Sequence, residues 1–174
     1  MLSLKLPILL APMAGACPTS LSAAVANAGG MGACGAVLMN PDSILNWASE
    51  FRQLSEGMFQ INLWVPEPSP VRDAIAEQRQ IEFLAHWGPV VSPKKGDSVL
   101  PDFDAQCRAV IAAKPNAISS IMGVFSAPFV HEIKSNSILW FATATTVPEA
   151  QAAERAGADA IIVQGAEEIG RAHV

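Results

Sequence analysis

The feature that most narrows what this chain can fold into is an alternation. Short apolar runs bounded by turn residues are separated by longer stretches whose apolar residues recur at helical spacing. Asp159-Ala160-Ile161-Ile162-Val163 suits a strand covered on both faces. Just before it, Pro148 to Gly157 carries proline in its first turn and glycine at its end, the expected asymmetry of a helix. Repeated along a chain, this pattern is the βα unit of a parallel sheet. Composition agrees, because 51% of residues are hydrophobic and only 16% charged, so most elements must be covered on more than one side.

Six apolar runs read as strands: Ile8 to Met13, Gly32 to Leu38, Phe59 to Val65, Ala117 to Met122, Ile138 to Thr143 and Asp159 to Val163. Between them, Thr19 or Ser20 is placed to cap a helix through Ala28, stopped by Gly29-Gly30, and Asp42 or Ser43 to open one through Leu54. Further helices are expected over Val71 to Trp87, Asp104 to Ala113 and Ala127 to Lys134. The proline-rich stretches from Pro66 to Pro70 and from Pro89 to Pro101 read as loops, in a region where barrels keep lids and substrate loops. The expected fold is therefore α/β, a (β/α)8 TIM barrel truncated after about six strands, since 174 residues fall short of the roughly 250 a closed barrel uses.

Several function classes are disfavoured. The net charge of −5 is spread along the chain without a Lys/Arg run to follow a phosphate backbone, which argues against nucleic acid. Three cysteines, Cys17, Cys34 and Cys107, form no CxxC pair and point to neither a disulfide framework nor a zinc site, so a reducing cytoplasm is expected. Lys5 before an apolar stretch imitates a signal peptide, but Pro7 and Pro12 interrupt it. No apolar run approaches the roughly 18 residues of a membrane span.

Three places carry chemistry. Pro12-Met13-Ala14-Gly15 follows the first run, where small residues let backbone groups approach a flat ring; a plain turn packed under a helix explains it equally. Asn62 is a carboxamide inside an apolar strand and needs a partner, either a ligand or a neighbouring strand end. Gln164 leaves the last strand beside Gly165, a long amide at a strand tip. Ser119, Ser120 and Gly123 end one strand and Thr143, Thr145 and Thr146 another, positions that line a site or cap the next helix. His86 near a helix end and His131 within a helix read as structural.

Ala11-Pro12-Met13-Ala14-Gly15, Phe59-Gln60-Ile61-Asn62 and the segment Ala156 to Glu167 together resemble the nitronate monooxygenase family, formerly 2-nitropropane dioxygenase. The resemblance runs over almost the whole chain in register. It implies an FMN-dependent oxidation of alkyl nitronates by dioxygen, with Met13, Asn62, Gln164 and Gly165 as flavin ligands. The flavin-dependent enoyl-acyl-carrier-protein reductases share the pattern and are the alternative.

In the family, Gln164-Gly165-Ala166-Glu167 would continue toward Gly-Gly-His, the histidine serving as base. Here Ile169, Gly170 and Arg171 stand in those places, so no catalytic residue is expected in the chain itself, and His173 falls two residues too late. The stretch Glu168 to Val174 reads as translated sequencing adapter, which sets the expected partial FMN-binding barrel at residues 1–167 and a non-native tail at 168–174. The chain is then expected to lack activity alone. The third reading is a non-catalytic incomplete barrel with two exposed sheet edges, insoluble or colourless when expressed.

Overall fold

A computed structural model describes residues 2–68, 71–97 and 100–165. Ala166 to Val174, which include Glu167, Arg171 and His173 of the sequence reading, lie outside the described residues. The chain divides into two compact units, residues 1–66 with 101–174, and residues 67–100.

In the first unit the order is α1 (Thr19–Asn27), β1 (Met31–Gly35), α2 (Pro41–Leu54) and β2 (Met58–Trp64), resuming with α4 (Phe103–Ala113), β3 (Ala117–Ile121), α5 (Ala127–Ser135), β4 (Leu139–Ala144), α6 (Val147–Ala156) and β5 (Ala160–Val163). The second unit holds α3 (Ala74–Leu84) and a 3₁₀ turn, Pro93–Asp97. Strand order β1-β2-β3-β4-β5 follows the chain and every pairing is parallel. That is the βα repeat of an α/β barrel, as the alternation requires.

The register sorts the side chains. Gly35 pairs with Asn62, Asn62 with Ser119, and Ser119 with Phe141, so alternate residues share one face. The other face carries Ile61, Ile118 and Trp140 into a core built with Phe51 of α2, Val110 of α4 and Ile133 of α5. There Trp47 and Phe51 stack at 5.5 Å and Phe51 meets Phe59 at 4.7 Å. On the first face, Met31, Ala117 and Phe141 form a separate apolar cluster at the amino ends of the strands. Polar residues follow toward the carboxyl ends.

Among the described residues the first apolar run makes one bridge, Leu9 with Met31, held by Met31 N–H to Ile8 O and Leu10 N–H to Met31 O, both at 2.9 Å. In the same register Pro12 would donate the next rung, and proline has no N–H. Ala33 O takes the Ser22 hydroxyl instead, at 2.7 Å.

Helix starts also differ from expectation. Pro18 precedes α1 with no side-chain cap, while Thr19 and Ser22 are buried. Asn40 caps α2 by accepting Ser43 N–H, because Pro41, with fixed φ and no N–H, fills the first helical position. α6 begins with a capping box between Thr146 and Glu149 and ends at Gly157 in the left-handed region. Among the described residues no helix is long and apolar enough to cross a membrane.

Candidate functional site

At the carboxyl end of the strands the inner face opens into a cavity of about 560 Å³, within the range of small-molecule and cofactor sites. Met13, Gln60, Asn62, Ser119, Met122 and Gln164 are among its lining. Its character is apolar with a few converging polar groups, and no ionisable side chain among the described residues lines it.

The turn carrying Met13 is shaped by two hydrogen bonds, Met13 N–H to Ala11 O at 2.9 Å and Ala16 N–H to Met13 O at 3.1 Å. Gly15 has φ +73, a conformation that favours glycine. The turn lies directly on β1: a Cβ on Gly35 would stand 2.6 Å from Ala14 N and 2.7 Å from Pro12 O. Glycine at 35 is therefore what lets the turn settle against the strand. Met13 itself is 46% exposed and also lines a second cavity of about 420 Å³ with Cys17, Cys34, Met39 and Trp47. Burial, helped by neighbouring Cys17, pushes the Cys34 thiol up to about 12, so it stays protonated.

Asn62 is buried, and its amide N–H donors reach Ser119 Oγ at 3.0 Å and Ser119 O at 3.3 Å. The neighbouring strand thus satisfies its donor end, leaving the carbonyl oxygen outside these bonds. Gln164 is held by its backbone N–H on Ala144 O at 3.0 Å, and its buried Oε1 has no partner. Gly165, one residue on, is exposed and outside the lining.

Gln60, 1% exposed, was not singled out by the sequence reading. Its Nε2 donates to Leu10 O at 3.2 Å while its buried Oε1 has no partner. A buried carbonyl left so costs about 1–3 kcal/mol. The signal for it was present: Gln60, Asn62 and Trp64 alternate along one strand and must share a face. Met122, also in the lining, holds φ +70, uncommon for a non-glycine and of the kind that gathers at binding sites. Nothing in its sequence context announces that.

The hydroxyls at strand tips divide. Ser119 and Thr143 line the cavity, whereas Ser120 faces the helices and accepts Trp140 Nε1–H at 3.0 Å. Thr145 and Thr146 engage Glu149 at the start of α6, and Gly123 lies outside the lining. His86 stands just past α3 with Nδ1 2.8 Å from Glu82 O, and His131 is exposed on α5.

Orphaned amide oxygens, an apolar lining and a volume suited to a cofactor fit a flat ring edged with hydrogen-bonding groups. Comparison with known proteins points the same way. A sequence model of the nitronate monooxygenase family matches residues 1–173. A nitronate monooxygenase of Paraburkholderia phytofirmans is 37% identical in an alignment that covers 96% of this chain and 47% of that protein. A probable nitronate monooxygenase of Staphylococcus aureus strain Newman is 30% identical, over 96% of this chain and 48% of its own. Among solved structures, nitroalkane oxidase from Streptomyces ansochromogenes aligns with TM-score 0.81 at 30% identity, covering 94% of this chain and 47% of that one. FabK from Thermotoga maritima aligns at 0.65 and 26%, covering 92% and 40%. The chain spans about half the length of the curated relatives it matches.

Proposed function

The chain belongs to the nitronate monooxygenase family, and from that premise we propose that it carries the ring-binding face of an FMN-dependent oxidase of alkyl nitronates that uses dioxygen. The observation that carries the reading is the convergence of three carboxamides, Gln60, Asn62 and Gln164, on one largely apolar cavity, two of them with buried oxygens lacking a partner. Such groups are costly unless an occupant completes their hydrogen bonds.

In this reading FMN, when bound, would supply the two-electron acceptor that no side chain provides. Met13, Asn62 and Gln164 would hold it, with Gly165 following at the strand tip; Ser119 keeps the Asn62 amide turned so that its carbonyl stays free. Ile121, Met122 and Ile162 offer apolar surface that excludes water from a ring. The proton acceptor falls to residues other than those lining the cavity, because none of them titrates near neutrality. Three free, buried cysteines suit the reducing cytoplasm in which we place the protein.

Two measurements test this. The purified chain should bind FMN and quench its fluorescence; a chain that leaves added FMN unquenched removes the flavin from the reading. In a chain carrying the family's Gly-Gly-His at positions 169–171, oxygen uptake should depend on propionate-3-nitronate. Consumption of NADH with an enoyl thioester instead would make the protein a reductase.

A further inference from the structure

The Gln60 amide is oriented by its surroundings. Its Nε2 donates to Leu10 O at 3.2 Å, so turning the amide over would set two carbonyl oxygens against each other. The other end of the amide, Oε1, is thereby fixed as an acceptor. Its register partners on either side are Ala33 and Ala117, both fully buried, and alanine side chains have nothing to donate. Oε1 is left buried without a partner inside a residue that lines the cavity. Gln164 differs, since no side-chain bond fixes which way its amide points. Of the two, only Gln60 has its orientation fixed by a side-chain bond and so commits an acceptor to whatever occupies the site.

We propose that Gln60 is a binding residue of this cavity, its side-chain carbonyl accepting the imide N–H of the isoalloxazine ring; the assignment rests on the flavin reading above. The oxidised ring offers a single N–H, flanked by two carbonyls that themselves need donors. A committed acceptor at Gln60 selects that edge of the ring over its dimethylbenzene edge. It also sets a specificity, because a ring methylated at the imide nitrogen leaves Oε1 unpaired and brings a methyl group against it.

The test pairs a change in the ligand with a change in the protein, read by quenching of flavin fluorescence rather than by turnover. The unaltered chain is titrated with FMN and with 3-methyl-FMN, and Gln60→Met with both. The unaltered chain should bind 3-methyl-FMN about tenfold or more weakly than FMN, and Gln60→Met should discriminate by less than about twofold. Equal binding of the two flavins by the unaltered chain would overturn the Gln60 assignment while leaving the flavin reading standing, and would mean that water satisfies Oε1. Equal discrimination by the unaltered chain and Gln60→Met would also overturn it, because the methyl group would then be meeting another residue. Binding of neither flavin would remove the flavin reading and this inference with it. Where Gln60→Met fails to fold, Gln60→Leu takes its place, and equal binding of the two flavins by the unaltered chain overturns the assignment whatever the variants do.

Discussion

Replacing Gly35 by alanine tests whether the turn under Met13 is built against β1. The new Cβ would lie 2.6 Å from Ala14 N, 2.7 Å from Pro12 O and 2.9 Å from Ala14 Cα, all backbone atoms that cannot rotate away. Ordinary contact begins at 3.4 Å, so the turn or the strand must retreat by about 0.8 Å. The strand is held on its far side by Asn62, whose backbone carbonyl accepts Ala36 N–H at 3.0 Å, and the turn by its own two hydrogen bonds. Overpacking of this kind costs about 1–3 kcal/mol. Equilibrium urea unfolding should show that loss at an unchanged slope. Two controls separate crowding from backbone strain. Gly15→Ala has open space but φ +73, and should cost about 1–2 kcal/mol without displacing the strand. Gly88→Ala has neither obstacle and should stay within about 0.5 kcal/mol of the parent. A Gly35→Ala chain as stable as the Gly88→Ala control would refute the argument.

Other consequences are as direct. Thr146→Ala removes the side chain that accepts Glu149 N–H at 3.3 Å in the capping box and should lower stability by about 1 kcal/mol in the same assay; no change would mean that Glu149 alone secures the start of α6. Asn62→Leu deprives Ser119 of its partner and should cost about 1–3 kcal/mol, while a neutral result would show that the Asn62–Ser119 bonds contribute nothing net. Burial raises the Cys34 and Cys107 thiols to about 12, with Cys17 adding to the first and Asp104 and Glu132 to the second. Both are therefore neutral thiols well below that pH, and at about pH 8 iodoacetamide should label them slowly in the folded chain and rapidly in urea. Labelling of either at the rate of an exposed thiol in the folded chain would contradict the buried placement.

Much of the fold was legible because it rests on local periodicity. Apolar runs such as Ile161-Ile162-Val163, set between helices with recognisable ends, leave a parallel sheet as nearly the only arrangement that covers both faces. Asn62 and Gln164 could be singled out for the same reason, since a carboxamide within or just after an apolar strand conflicts with its neighbours and asks for a partner. The chain also contained the means to find Gln60, two residues before Asn62 on the same face. Alternation alone could not distinguish a glutamine satisfied by its surroundings from one left waiting for a donor.

That distinction belongs to the tertiary structure. Gln60 reaches Leu10 O, fifty residues away, and finds only alanines in register on either side, facts that depend on which strands become neighbours. The first run looked like a strand by composition, yet it makes one bridge, because the next rung falls on a proline only in the register with Met31 that the fold imposes. Met122 takes its left-handed conformation where β3 ends at the cavity, with no local signal for it. By itself the sequence determined most of the secondary structure, the parallel sheet and two of the polar groups at its carboxyl end. Which of those groups are already satisfied, and which still need a donor, was decided by contacts between residues far apart in the chain.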